Sequence, residues 1–240
     1  MIKACLLIAL LLSPHIAEAQ TLDLDQLIPE DEGTFTGRII QGIVLLTLLS
    51  LAPGILVTTT CFTRFIIAFS FLRSGLGLQS TPSNLIVISL ALFMTYFVMA
   101  PVFEQSWRTG VAPLLDREID RDEAIPLIIE PLKEFMQSNV KQGEVDLFAE
   151  FAGDDIGDAA EELRILIPAF LLSEIRRGFE IGFLILLPFL IIDLVVATAT
   201  MAMGMMMLPP TVVSMPFKIL FFVLIDGWSI IVGELLKSVA

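Results

Sequence analysis

Three ionisable residues sit where such groups are costly. Asp193 lies inside the apolar run 181–202, and Lys218 and Asp226 lie inside the apolar run 215–236. Charged groups at bilayer depth face protein or a water-filled path and pair with one another. Two chemistries fit them: a proton relay through the carboxylates, or ion pairs that fix packing and register. For either carboxylate, Asp193 or Asp226, the plainer reading is satisfaction by Lys218 or a helix-end cap. Lys218 and Asp226 are eight residues apart, roughly on one helical face, and too distant to touch on one straight helix. A contact between them would need another helix or another subunit. Between the two runs stands Met201-Ala202-Met203-Gly204-Met205-Met206-Met207, followed at once by Leu208-Pro209-Pro210. Thioethers at this density read either as core filler or as a soft, adaptable constriction beside a helix-breaking Pro pair.

Other chemistry is excluded by composition. Lys3, the short apolar stretch 4–12, Pro14 and Ala17-Glu18-Ala19 read as a signal peptide cleaved before Gln20. Its removal takes away the only histidine, His15, and one of two cysteines, Cys5. The remaining Cys61 cannot form an intrachain disulfide and reads as a packing residue. Histidine acid–base chemistry, Cys-His dyads and the usual zinc ligand sets are lost with it. No P-loop, nucleophile elbow, H-E-x-x-H or C-x-x-C occurs in the chain. No cofactor, metal or catalytic residue is expected, and energy for any transport must come from a partner or from the membrane potential. Glu174, Arg176, Arg177 and Glu180 are spaced for helix-face pairing or subunit contact.

The elements that must position these groups are helices. Hydrophobic residues make up 56% of the 240 residues, above the ~45–50% of an ordinary soluble domain. The excess falls in blocks of membrane-spanning length. Residues 1–19 are the signal peptide and 20–38 a polar, acidic, exported N-terminus. Residues 39–103 form a first apolar hairpin, interrupted at Pro53-Gly54, with a second helical piece running past Arg64 to Arg73. Residues 104–164 hold 16 acidic and 6 basic residues, which concentrates the chain's net charge of −13 in one hydrophilic segment. Apolar residues there recur at helical spacing, as amphipathic helices require. Residues 165–240 form a second apolar hairpin around the Met-rich loop; within it, 165–175 reads as a separate piece too short to span. The expected fold is all-α, a polytopic membrane protein of helical hairpins. The acidity argues against nucleic acid as a partner.

A cleaved N-terminus starts outside the cytoplasmic membrane. Four spans then put the acidic segment and the C-terminus on the periplasmic side, and the 64–73 loop and the Met/Pro loop inside. Arg64 and Arg73 agree with the positive-inside rule, whereas Arg164, Arg176 and Arg177 conflict with it. The conflict suggests helices that are not ordinary lipid-facing spans.

Several long motifs resemble one family. They are Leu187-Pro188-Phe189-Leu190-Ile191-Ile192-Asp193, Met203-Gly204-Met205-Met206-Met207-Leu208-Pro209-Pro210, Pro216-Phe217-Lys218 and Asp226-Gly227-Trp228. Upstream, Phe62-Thr63-Arg64 through Phe71-Leu72-Arg73 and on to Asn84 belongs with them. The chain resembles the FliP family of type III export-gate proteins from about residue 42 onward, least through 104–162. The resemblance implies a pentameric ring assembled with FliR and FliQ and contacting FlhB. It implies a multi-pass inner-membrane component of the flagellar basal body, wound into a conical channel that passes unfolded flagellar proteins. It also implies that Met205, Met206 and Met207, with Met203, form the gasket that seals the closed pore. Asp193, Lys218, Asp226, Arg64, Arg73, Glu174 and Arg177 are then the candidates for structural or intersubunit ionic contacts. The virulence-type secretion subunit shares this fold and is one alternative; a proton-coupled solute transporter is the other. Leu208-Pro209-Pro210, Asp226-Gly227-Trp228 and the signal peptide look more flagellar.

Overall fold

The computed structural model describes residues 35–78, 82–152, 159–204 and 209–239. The expected signal peptide, most of the polar N-terminus and Met205, Met206 and Met207 lie outside the described residues. Among the described residues every regular element is a helix. The chain divides into two units, Met1–Ser50 and Leu51–Ala240. Helix α1 (Phe35–Thr59) runs through the division, and its polar hydroxyls bond back to the preceding turn, as Thr47 does to the Ile43 carbonyl. Pro53 lies within α1 without ending it, so the interruption expected at Pro53-Gly54 is absent. Thr58 Oγ1 donates to the Gly54 carbonyl and Thr59 Oγ1 to that of Ile55, which keeps both hydroxyls satisfied on an apolar helix.

Helix α2 (Phe62–Gly75) is the core of the second unit. It has only 14 residues, yet Phe62, Arg64, Phe65, Ala68, Phe69 and Leu72 on it are buried. It makes the most extensive contact in the chain, against α7 (Ala159–Ala202). That contact is close because α7 offers no side chain at two positions one turn apart. A Cβ on Gly178 would stand 3.0 Å from the Cβ of Ile67 and 3.2 Å from the Arg64 carbonyl oxygen; one on Gly182 would stand 2.5 Å from the Phe71 ring. Small residues at i and i+4 allow this approach between helices in membranes, where lipid tails leave packing as a main source of adhesion. Phe71 also meets Phe179 edge to face at 5.3 Å.

Helix α3 (Asn84–Ser106) packs on α2 and passes into one π-helical turn, Trp107–Val111, then α4 (Ala112–Leu115). The wide turn receives α5 (Arg121–Asn139): Gly110 lies so near Ile128 that a Cβ would be 2.4 Å from its side chain. Asp120 caps α5, with Asp122 and Glu123 in the first turn, where carboxylates complement the helix dipole. Helix α6 (Gln142–Ala152) follows. Met136, Leu166 and Phe170 make a small second core under α5 and α7. Lys133, on α5, holds Glu162 at 2.8 Å, and that hydrogen bond raises its pKa above the ordinary lysine value.

The expectation of a separate short piece at 165–175 is corrected by α7. It is one helix of 44 residues that runs through Pro168 and Pro188. Each Pro removes a single backbone donor while the surrounding apolar turns continue the ladder. Helix α8 (Pro210–Leu224) starts with Pro at its first position, which suits a backbone lacking an N–H there. Helix α9 (Gly227–Lys237) follows after a 66° bend. Among the described residues, three helical stretches are long and apolar enough to cross a membrane, Gly42–Thr59, Asn84–Leu115 and Glu162–Ala202, and the bent α8–α9 pair qualifies as a fourth.

Replacing Gly182 with Leu is expected to separate α2 from α7, since overpacking a tight contact costs about 1–3 kcal/mol and here the obstacle is a ring base. Proteolysis of detergent-solubilised protein measures it. A variant as resistant as the parent contradicts the close-packing account.

Candidate functional site

Two charged junctions are built at opposite ends of α2. At its start, Arg64 is 1% exposed and faces Glu174 of α7, which is fully buried. Arg64 Nε donates to Glu174 Oε2 at 2.9 Å and Nη2 to Oε1, the two-pronged geometry that a planar guanidinium offers a carboxylate. The third nitrogen, Nη1, donates to the Ser238 carbonyl at 2.5 Å and to its hydroxyl at 3.2 Å. Ser238 follows the last residue of α9, so the guanidinium also serves carbonyls left open at a helix C-terminus. Cys61 is buried beside this junction. Burial, reinforced by the Glu174 carboxylate, pushes its thiol up to about 12, so it packs as a neutral group rather than reacting.

At the other end of α2, Lys218 of α8 is buried and its Nζ donates to Asp193 Oδ2 at 2.6 Å and to the Gly75 carbonyl at 2.9 Å. Ser214, one turn before Lys218, donates its hydroxyl to Asp193 Oδ1 at 2.5 Å. Asp193 therefore receives a donor on each oxygen, both from α8. The partner of Lys218 is thus on a neighbouring helix of the same chain.

Asp226 has a different place. Its φ of +51° is in the left-handed region, and its exposed side chain makes no hydrogen bond or ion pair among the described residues. Asp tolerates that conformation better than most residues. The next residue must be glycine, because a Cβ on Gly227 would lie 2.3 Å from the Phe222 ring. Trp228 then packs edge to face on Phe222 at 5.4 Å. Within this chain Lys218 is engaged by Asp193 rather than by Asp226, and Asp226-Gly227-Trp228 is the corner that bends α8 into α9.

The remaining candidates are peripheral. Arg73 Nη1 donates to Asn84 Oδ1, joining the end of α2 to the start of α3. Arg177 reaches Glu180 only at 3.9 Å. Arg176 contacts Glu144 at 3.1 Å and Glu180 at 3.4 Å, and Lys141 contacts Glu180 at 3.0 Å, so this band fastens α6 to α7. Glu174 does not join that band as its helix-face spacing suggested; it points inward to Arg64. Met203 is exposed just past α7, where Gly204, at φ +74°, carries the chain out of the helix. Sequence reading missed three contributors: Ser214, the Gly75 carbonyl, and the pair Gly178-x-x-x-Gly182. The last is a visible small-residue motif; the first two carry no signal of their own.

The comparisons with known proteins decide the family. The FliP family model matches residues 45–235. The chain belongs to the FliP family. It is 54% identical over 239 residues to the flagellar biosynthetic protein FliP of Rhizobium meliloti (strain 1021), covering 98% of each chain. It is 54% identical to that of Agrobacterium fabrum, covering 99% of each, and 49% identical to that of Bacillus subtilis, covering 83% of this chain and 91% of the relative. The motifs of the FliP resemblance supply the junction residues Arg64, Asp193 and Lys218 and the Asp226-Gly227 corner.

Removing either Arg64 or Glu174 alone strands a buried charge, which costs about 3–5 kcal/mol. We expect R64M and E174L each to lower the melting temperature of the solubilised protein sharply, and R64M/E174L to recover most of the loss. Equal damage in the double variant would show that the helices, not the pair, carry the stability.

Proposed function

We propose that the chain is a channel-forming subunit of the flagellar type III protein export gate in the bacterial inner membrane. The observation that carries this reading is the near full-length match to proteins named for flagellar biosynthesis, on a chain built of long apolar helices. All the relatives named above are flagellar, so the virulence-type and solute-transporter alternatives are set aside. The gate would be a ring of copies of this chain, a pentamer, assembled with FliQ and FliR and contacting FlhB, and would pass unfolded flagellar proteins. The chain is read as a structural subunit rather than an enzyme.

The acidic helices α5 and α6 are assigned to the periplasmic side, behind an exported N-terminus. The junction chemistry supports a scaffold. Each oxygen of Asp193 is held by a donor from α8, which suits a fixed pair better than a proton relay. The α7–α8 hairpin would then hold the Met-rich loop at a set level, where flexible thioethers close around nothing and yield to a passing chain.

An in-frame deletion is expected to remove hook and filament proteins from the culture medium, and the wild-type gene to restore them; secretion that continues without the gene refutes the export role. Replacing Met205, Met206 and Met207 together with Ala is expected to make cells leaky to small solutes while assembly persists. Unchanged permeability in that variant would take the seal away from these three residues.

A further inference from the structure

The bent α8–α9 pair does not close against α7 along its whole length. Between them lies a half-open cavity of about 480 Å³, walled by Ile185, Pro188, Phe189, Phe222, Ile225 and Ile231. Its wall is apolar except at one end, where Glu234, Lys237 and Ser238 reach the rim. The level of that end is fixed. The Ser238 carbonyl accepts from Arg64, and Arg64 holds Glu174, so the mouth stands beside the charged stretch 174–180 of α7. From Ile181 to Phe189 the groove then descends about 12 Å along α7, at 1.5 Å per residue, into the most apolar part of the helix. The whole lies in helices long and apolar enough to cross a membrane.

We propose that this groove binds one membrane phospholipid with a zwitterionic head, its acyl chain between α7 and α9 and its head at Lys237 and Glu234. The depth and lining select the tail. Water finds almost no polar partners on such walls, and an empty apolar groove forgoes the dispersion contacts that hydrocarbon supplies. The rim selects the head. Lys237 Nζ lies 2.9 Å from Glu234 Oε1, and both side chains are largely exposed. Each can turn outward to one charge of a phosphate–ammonium head, Lys237 to the phosphate and Glu234 to the amine. An anionic head without an amine would meet Glu234 unpaired, and a cationic one would meet Lys237 unpaired. Gly227 contributes to the wall without a side chain.

Native mass spectrometry of the full-length chain in mild detergent with added phosphatidylethanolamine tests the site. The expected result is one retained phospholipid per chain, with phosphatidylglycerol retained less. I230W, which fills the groove from α9, should abolish retention. K237E, which leaves the apolar walls intact, should weaken it about tenfold, the equivalent of one lost charge-assisted contact. Cys61, which is fully buried, reports folding: it should stay closed to maleimide in both variants. Retention in I230W equal to that of the parent overturns the site. So does disulfide crosslinking between I230C chains without retained phospholipid, which assigns the groove to a second copy. Neither outcome depends on whether the chain serves flagellar export.

Discussion

The buried Arg64–Glu174 pair is the constraint from which the rest of the second unit follows. A guanidinium and a carboxylate removed from solvent must satisfy each other and every remaining donor nearby. Glu174 takes two of the prongs, and the end of α9 takes the third. Three segments far apart in sequence are thereby held at one level. The glycines at 178 and 182 are the steric counterpart, since the ionic contact and the close backbone approach lie on successive turns of the same face of α7.

Helix α2 is short because it serves as a brace rather than a span. Its first turn supplies Arg64 and its last residue supplies the Gly75 carbonyl that receives Lys218. Glu174 of α7 is therefore neutralised at one end of this small buried helix, and the Lys218–Asp193 pair of α8 and α7 is docked on a carbonyl at the other. This also accounts for Asp226. With Lys218 committed to Asp193, the carboxylate at the α8–α9 corner has no inward partner among the described residues and stays on the surface, while its backbone makes the turn.

Much of this was legible in the chain. Apolar blocks, amphipathic acidic helices and the all-α class follow from periodicity and charge distribution, which are local properties. The odd residues were legible too: Arg64, Asp193 and Lys218 each stand out as a charge in apolar surroundings. Their partners were less so. Arg64 and Glu174 are separated by 110 residues, and nothing local distinguishes Glu174 from Glu180, one of which points inward and the other outward. Helix ends misled for a related reason. Pro53 and Pro188 look like breaks, but apolar helices with satisfied neighbours run through them.

The length of α7 has a mechanical consequence. Its 44 residues extend about 66 Å at 1.5 Å per residue, roughly twice the hydrocarbon thickness of a bilayer. No membrane boundary can coincide with both of its ends. The same rod that carries the acidic helices on one side carries Asp193 and the hairpin on the other, with no loop in between to act as a joint. Torque applied to the hydrophilic helices must reach the hairpin, and the compliant points along the way are the two turns where Pro168 and Pro188 leave the carbonyls of Arg164 and Leu184 without their helical donor.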